Sequence, residues 1–326
     1  MERELSFAEA LNEALREEMR RDERVIIFGE DVAVAGGVYK VTKGLLEEFG
    51  PNRVIDTPIS EAAIVGAAVG AALMGLRPVA EIMYMDFLTI ATDQLVTHAA
   101  KLRFMSGGQL KVPLVVRTQY SLGRVHGSQH SQFYPAWFLQ SPGLKVVLPA
   151  TPRDAKGLLK SAIRDDDPVL FVECGLLYHR YKENVPEEEY LIPLGKADVK
   201  RRGNDVTVVA VSRVVREALE AAQRLDERGI SVEVIDLMTA QPMDSETIIN
   251  SVKKTNRLVI AEDSVKTGGL SAEIAARVAE EALEYLDSPI VRLNSPDMPV
   301  PFSAKLEQEY MVNADKIVDA VSKLVG

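Results

Sequence analysis

The sequence predicts an α/β protein of two domains, each built on a parallel sheet covered by helices. Short apolar runs of strand length, such as "VIIF" at 25–28, alternate with longer helical patterns along most of the chain. The length of 326 residues is enough for two domains of ordinary size. A stretch rich in charge and proline at 181–205 separates two such alternations, which predicts a linker crossing the surface.

The elements follow in order. In the first alternation, strands are expected at 25–28, 77–83, 112–118, 144–149 and 168–173. The helical patterns of this half cover 6–20, 60–75, 88–104 and 153–164. In the second alternation, strands are expected at 205–211, 231–237, 257–263 and 289–294, and helices at 213–229, 244–254 and 270–284. Gly229 stands where a C-cap residue would end its helix.

Composition excludes several classes of protein. The net charge of −10 disfavours a broad nucleic-acid surface. Cys174 is the single cysteine, so an internal disulfide is impossible, and a reducing compartment such as the cytoplasm is expected. The apolar run 62–76 is shorter than the roughly 20 residues of a membrane span and contains three glycines, so we expect a helix buried in protein and no membrane association. The charged, helix-like N-terminus does not resemble a secretory leader.

One carboxylate, Glu61, stands at the head of this apolar run. It follows Ser60, an expected N-cap residue, and the next charged residue is Arg77. Glu61 either only complements the helix dipole, an effect worth about 0.3–1 kcal/mol, or is a carboxylate kept in a dry site to hand a proton to a ligand. Gly66 and Gly70 share one face of the helix, which indicates close packing in the core or against a partner subunit.

Two of the four histidines, His126 and His130, lie in the irregular segment 120–137 between two predicted strands. Long irregular segments in compact domains are often functional. A spacing of four residues would suit a metal site on a helix, but Gly127 interrupts a helix and no third ligand is evident. The alternatives are a polar loop histidine without a role and a histidine that acts on a substrate.

Two further segments carry candidate site residues. Phe87 comes just after the strand 77–83, where open α/β sheets place ligands, so it belongs to the core or stacks on a flat heterocycle. Three aspartates at 165–167 end a helix, and they form a solvated turn or a cation site made of carbonyl groups and one carboxylate. Neither a GxxxxGK[ST] phosphate loop nor a G-x-G-x-x-G fingerprint after a strand is present.

Together these segments resemble the β subunits of the thiamine-diphosphate-dependent 2-oxo acid dehydrogenases, a group that includes the pyruvate, branched-chain and acetoin enzymes. The motifs that carry the resemblance are "GEDV" (29–32), "YKVTKGLLEEFGPNRVIDTPISE" (39–61), "MSGGQ" (105–109), "QHSQ" (129–132), "PGLKVV" (142–147), "PATPRDAKGLLKSAIRDDDPVLFVE" (149–173), "VEVIDL" (232–237) and "TGGLSAEIAARVAEEA" (267–282). The resemblance implies a pyrimidine-binding, transketolase-like domain over 1–190, a linker over 191–204 and a transketolase C-terminal-type α/β domain over 205–326.

The resemblance also implies half of a cofactor site. In this family a GDG motif with a downstream Asn holds the diphosphate and Mg²⁺, and this sequence contains no GDG. We therefore expect thiamine diphosphate to be shared with an α subunit that holds Mg²⁺, in an α2β2 heterotetramer. The implied reaction cleaves a carbon–carbon bond next to a carbonyl and passes the acyl group to the lipoyl acyltransferase of a multienzyme complex.

By resemblance, Glu61 matches the glutamate that hydrogen-bonds N1′ of the aminopyrimidine and favours its imino tautomer, whose 4′ nitrogen removes the thiazolium C2 proton. Phe87 matches the aromatic residue that packs on the pyrimidine ring, and His130 matches the loop histidine near the substrate. Ile59 and Met83 complete the implied cofactor-binding set. The family's potassium site maps onto Leu114, Ala162, Ile163, Asp165 and Asp167.

The substrate and two other functions stay open. The segments "EIMYMDF" and "KVPLVVRT" look closest to the acetoin and pyruvate types, whereas "TQYSLGRVHGS" departs from the family's run of small residues. One alternative is half of another split thiamine-diphosphate enzyme of transketolase type, which would need more basic residues and histidines for a phosphorylated substrate. The other is a non-catalytic α/β assembly subunit, against which the matching Glu61, Phe87 and His130 count.

Overall fold

The computed structural model describes residues 3–326, and the chain divides into two compact units. The first unit runs up to Ser121 and resumes with Trp137–Leu194. The second unit combines Leu122–Ala136 with Gly195–Gly326. The irregular segment 122–136, which carries both loop histidines, is therefore grouped with the C-terminal half of the chain rather than with the strands that flank it in sequence.

The first unit is built on a parallel sheet. Its strands are β1 (Glu4–Ser6), β2 (Val25–Gly29), β3 (Val54–Asp56), β4 (Arg77–Ile82), β5 (Val115–Tyr120), β6 (Lys145–Val147), β7 (Val169–Cys174) and β8 (Lys182–Asn184). Within this unit the parallel strands follow the order β6-β7-β5-β4-β2-β3, and β1 pairs with β8 separately as an antiparallel ribbon. Every residue of β2, β5 and β7 is buried, as expected for strands covered on both faces.

Helices connect these strands. They are α1 (Phe7–Arg21), α2 (Leu45–Phe49), α3 (Glu61–Leu73), α4 (Ala100–Met105), α5 (Ala136–Leu139) and α6 (Pro152–Arg164). Helix α1 begins with a capping box, in which the Ser6 hydroxyl accepts from the Glu9 amide and the Glu9 carboxylate accepts from the Ser6 amide. No helix within residues 3–326 is both long and apolar enough to cross a membrane.

The predicted helix over 88–104 differs from the structure. The chain instead forms a 3₁₀ turn over Met85–Thr89, a π-helical stretch over Asp93–Ala99 and then the short α4. The hydroxyl of Thr89 donates to the Asp86 carbonyl (2.9 Å), and that of Thr92 donates to the Leu88 carbonyl (3.0 Å). Such side-chain bonds compete with the regular helical ladder, and π-helical turns are frequent at functional sites.

The second unit is a smaller α/β sheet. Its strands are β9 (Asp198–Arg201), β10 (Val206–Ala210), β11 (Val232–Asp236), β12 (Thr239–Gln241), β13 (Leu258–Val265) and β14 (Val291–Ser295), and the sheet order is β14-β13-β10-β11-β9. Its helices are α7 (Val214–Asp226), α8 (Ser245–Thr255), α9 (Leu270–Ala282), α10 (Ala304–Tyr310) and α11 (Ala314–Val325).

Strand β9 lies inside the stretch for which the sequence predicts a linker, 191–204, and pairs antiparallel with β11 at the edge of the sheet. Its sequence "DVKR" has no apolar pattern, because all four residues of this edge strand are only partly buried. The linker prediction was therefore wrong for these four residues, and a strand without buried side chains gives little signal in sequence.

Candidate functional site

The candidate site residues gather at the carboxyl edge of the first unit's sheet. Glu30 directly follows β2, Glu61 begins the helix that comes after β3, and Phe87 follows β4. Strand β2 lies between β3 and β4, and all three are parallel. Because the ends of parallel strands meet at one edge, these three side chains belong to the same edge of the sheet, where α/β sheets bind ligands.

Glu61 is the first residue of α3 and is buried, with 8% of its surface exposed. The expected cap is not formed, because the Ser60 side chain makes no hydrogen bond to the amides of the first turn. No residue within 3–326 donates a hydrogen bond to the Glu61 carboxylate. The helix N-terminus stabilises negative charge at this position, so the chain holds a buried carboxylate whose polar partner it does not itself provide.

Other carboxylates crowd this position. The pKa of Glu30 is raised by its burial and further by the charges of Glu61, Asp31 and Glu81. Neighbouring carboxylates favour retention of a proton among them, since like charges disfavour full ionisation. This edge of the sheet is therefore suited to holding a proton near neutral pH.

Phe87 belongs to an aromatic cluster formed with Tyr39, Tyr84 and Tyr178. The ring of Phe87 meets that of Tyr84 edge to face, with centroids 5.8 Å apart, and the hydroxyls of Tyr84 and Tyr39 lie 3.3 Å apart. Tyr39 stacks on Tyr178 with a centroid distance of 4.8 Å. Phe87 itself is only half-buried, so part of its ring stays accessible to a flat ligand.

A buried charge network supports the same edge from below, and sequence reasoning missed it. The guanidinium of Arg117 donates to both carboxylate oxygens of Glu173 (2.7 and 2.8 Å) and to Glu81 (2.7 Å). The Tyr178 hydroxyl also donates to Glu173 (2.5 Å). Burial disfavours the charge of Arg117, but the two carboxylates outweigh it and raise the arginine pKa. The signal in the sequence was an arginine inside the otherwise apolar run "VPLVVRT".

The other two predicted cofactor-binding residues lie at the same edge. Met83 follows β4, is half-buried and lines a cavity of about 10 Å³ beside Arg117 and Glu173, which has room for about one water molecule. Ile59 comes two residues before Glu61 and is 81% exposed. A large apolar side chain exposed beside a buried carboxylate marks a surface that a ligand or a partner would cover.

His130 lies in the second unit, on the segment 122–136, whereas Glu61 and Phe87 belong to the first. The pKa of the neighbouring His126 is lowered by burial and by the charges of Arg124 and His130, so the two histidines sense one another. Within residues 3–326 no third metal-ligating side chain joins them.

The residues predicted for a potassium site lie around the end of α6. Arg77 donates to the carbonyl oxygens of Ile163 and Asp165, both at 2.9 Å, and the Lys145 ammonium lies 2.5 Å from the Asp165 carboxylate. The carbonyl of Ala162 accepts from the Asp165 amide, and that of Leu114 accepts from the Val169 amide. Asp167 pairs with Arg103 at 2.6 Å. The chain's own cations are thus bound here, and the potassium site stays a prediction.

Comparison with known families covers both units. Residues 3–179 match the family "Transketolase, pyrimidine binding domain", and residues 195–317 match "Transketolase, C-terminal domain". Among solved structures, a split-gene transketolase described as an inactive beta4 tetramer has a TM-score of 0.80 over 98% of both chains at 23% identity, which shows the shared fold.

Curated relatives extend over nearly the whole chain. The 2-oxoisovalerate dehydrogenase subunit beta of Bacillus subtilis is 47% identical over 98% of both chains. The beta subunit of acetoin:2,6-dichlorophenolindophenol oxidoreductase from the same organism is 48% identical over 100% of this chain and 98% of its own length. The mitochondrial pyruvate dehydrogenase E1 component subunit beta of Dictyostelium discoideum is 47% identical over 99% and 91%. With both transketolase-type domains present and this degree of identity, the chain belongs to the family of β subunits of 2-oxo acid and acetoin dehydrogenases.

Proposed function

We propose that this chain forms an active thiamine-diphosphate-dependent 2-oxo acid or acetoin dehydrogenase component only together with an α subunit. Glu61 carries the proposal, because a buried carboxylate at the head of α3 has no donor within the described chain. Such a group fits a ligand nitrogen that needs a proton. The relatives at 47–48% identity are named as β subunits of dehydrogenases, which favours this reaction class over a transketolase.

The residues of this chain have distinct tasks in the proposed site. Glu61 holds a proton at N1′ of the pyrimidine, in a setting whose low water content strengthens the hydrogen bond. Phe87 packs on the pyrimidine ring, while Ile59 and Met83 shield it from water. Bound thiamine diphosphate would supply the electron sink for cleavage of the bond next to a carbonyl. His130 orients the acyl acceptor or moves a proton when the acyl group passes to a lipoyl group.

The α subunit would supply what the sequence lacks. The printed sequence has no GDG motif for the diphosphate and Mg²⁺. The split-gene transketolase with the same fold is described as an inactive beta4 tetramer, which supports the idea that this kind of chain needs its other half for turnover. We therefore propose an α2β2 assembly that delivers its product to a lipoyl acyltransferase, with Mg²⁺ held by the α subunit and K⁺ bound near the end of α6.

The test compares the chain alone with the chain co-expressed with the α subunit encoded beside it. Titration calorimetry with thiamine diphosphate and Mg²⁺ should detect binding to the complex and little to the chain alone. The complex should then reduce a dye acceptor with one of three substrates: pyruvate, a branched-chain 2-oxo acid or acetoin. Micromolar binding by the chain alone would contradict the shared site, and a complex that binds the cofactor but oxidises none of the three would contradict the reaction class.

A further inference from the structure

The segment that carries His126 and His130 is fixed at three points by residues Val300–Glu307, which we call the clamp. The Val125 amide donates to Oε2 of Glu307 (2.9 Å), and the Ser128 hydroxyl donates to the Val300 carbonyl (2.7 Å). Between these bonds, Gly127 lies so close to the Phe302 ring that an added Cβ would be 2.8 Å from Cδ2. All of these residues belong to the second unit, so the irregular segment is ordered by specific contacts.

The backbone at the first contact is strained. Val125 has φ +61°, in the left-handed region that β-branched residues rarely adopt. Strain of this kind costs about 1–3 kcal/mol and persists only where surrounding contacts over-determine it. The hydrogen bond from the Val125 amide to Glu307 is such a contact, so removing its acceptor should let this part of the segment relax.

Glu307 is itself held firmly by the core of the second unit. It is 2% exposed, and its amide donates to the Ser303 carbonyl (2.8 Å) at the start of α10. Just beyond α10, the carbonyl of Val312 accepts from Arg213 (2.8 Å), whose guanidinium also pairs with the buried Asp263 (2.5 Å). The clamp is therefore anchored at its far end by a buried ion pair.

The position of Glu307 is unfavourable for the fold alone. Its Oε1 is buried and has no hydrogen-bond partner within the described chain. Burying a carboxylate is costly when its oxygens are not satisfied, and a glutamine or an apolar residue would serve α10 equally well. The bond to the Val125 amide is the contact that gives this carboxylate a purpose.

From this geometry we infer that Glu307 is a positioning residue: by holding the Val125 amide it fixes the conformation of 125–130 and thereby aims His130 at the acyl-transfer step. The inference rests on the proposed function, since His130 has that role only in such an enzyme. Residues of the C-terminal half thus determine the geometry of a histidine that precedes them by 170 positions or more in the sequence.

The test uses Glu307→Ala in the full chain assembled with its α subunit. Hydrogen–deuterium exchange should accelerate in the peptide covering 122–130 by about tenfold or more, because the amide acceptor is lost. Reductive acylation of a lipoyl domain should fall at least about tenfold, since small misplacements of a reacting group cost up to about 10²-fold. Turnover with a dye acceptor, which bypasses lipoyl transfer, should change less than about twofold if the fold and cofactor site are intact.

Matched variants separate positioning from folding. Glu307→Gln keeps an oxygen that can accept from Val125 and should restore most of the acylation rate. Glu309→Ala removes an exposed carboxylate two residues along the same helix and should change neither rate. Ser128→Ala removes the second contact from an exposed side chain, so it should fold normally and still accelerate exchange in 122–130.

Two results would overturn the inference. One is unchanged exchange in 122–130 in both Glu307→Ala and Ser128→Ala. The other is an equal loss of dye-coupled and lipoyl-coupled rates in Glu307→Ala without recovery in Glu307→Gln, which would reduce Glu307 to a stability residue. A wild-type complex that transfers no acyl group would refute the proposed function instead, while faster exchange in the variants would still identify the clamp.

Discussion

Arg117 and Glu173 form a bidentate ion pair from which water is excluded, with side-chain exposures of 2% and 0%. They lie on neighbouring strands, and Arg117 is in register with Phe171, so Glu173 is its diagonal neighbour on the same face. Glu81 lies directly opposite Arg117 on the other side. One arginine thereby ties together the ends of β4, β5 and β7 immediately beneath the candidate cofactor edge.

Removing one partner of this pair should be far more damaging than removing both. Arg117→Met leaves Glu173 buried without its cation, and we expect a loss of about 3–5 kcal/mol in the free energy of unfolding. Arg117→Met combined with Glu173→Leu should recover most of that loss, because Glu81 keeps 14% side-chain exposure and can reach water. Urea denaturation of the three proteins gives the comparison.

A surface pair provides the control for this experiment. Arg103 and Asp167 also meet at 2.6 Å, but their side chains are 44% and 27% exposed. Arg103→Met should cost less than about 1 kcal/mol, as exposed pairs do. A double variant at Arg117 and Glu173 no more stable than Arg117→Met would contradict the account of the buried pair.

The sequence predicted those features that are local. Glu61 is recognisable because it heads an apolar helix, and β2 and β7 are continuous apolar runs that only a buried strand or helix explains. The pair of Arg117 and Glu173 was not predictable, because their contact depends on the register between two strands 56 positions apart. The attachment of Val125 to Glu307 spans 182 positions and is equally invisible in sequence.

A second prediction concerns the ladder of ion pairs between α1 and α6. Lys156 and Lys160 are fully buried and both donate to Glu17. Burial opposes ionisation of Glu17, but the hydrogen bonds from the two lysines outweigh it and lower its pKa. A carboxyl group with a lowered folded-state pKa contributes stability above its unfolded pKa, near 4.5, and that contribution is lost as the pH falls through the folded value.

We therefore expect the stability of the wild-type chain to fall between about pH 5 and pH 3, with Glu17 contributing at most about 1.4 kcal/mol per pH unit. Glu17→Gln should be less stable at pH 7 and should show a shallower loss in that acid range, as measured by urea denaturation at a series of pH values. Glu281→Gln, at an exposed position of α9 with no resolved pKa shift, is the control and should follow the wild-type profile. A Glu17→Gln profile parallel to the wild type would disprove the contribution of Glu17.

A third prediction addresses His130, whose role is proposed from family resemblance and from its place on an ordered loop. His130→Ala should leave thiamine diphosphate binding by the complex intact and slow acyl transfer to a lipoyl domain by about 10²–10⁴-fold if the imidazole moves a proton. Single-turnover kinetics separate the two steps. His98→Ala, at a side chain 55% exposed in the first unit, is the matched substitution and should leave acylation unchanged. An acylation rate in His130→Ala equal to the wild-type rate would make His130 an ordinary loop residue.

The last prediction decides between the two interpretations of Glu61. Glu61→Gln keeps the shape of the side chain and has a similar helix propensity, so the structural loss should stay below about 1 kcal/mol if only a dipole interaction is removed. Glu273→Gln offers the comparison, because Glu273 stands in the first turn of α9, another helix of 13 residues, where only the dipole and a surface pair with Arg277 are affected. The two variants should therefore have similar melting temperatures. Their catalytic behaviour should differ sharply, since glutamine can donate a hydrogen bond to N1′ but has no acidic proton to transfer. Hydrogen–deuterium exchange at the thiazolium C2 position, followed by NMR in the α–β complex, should slow by about 10²–10⁴-fold in Glu61→Gln and remain at the wild-type rate in Glu273→Gln. Wild-type exchange in Glu61→Gln would return Glu61 to the role of a helix-dipole carboxylate, and the buried acid at the head of α3 would then have no part in activating the cofactor.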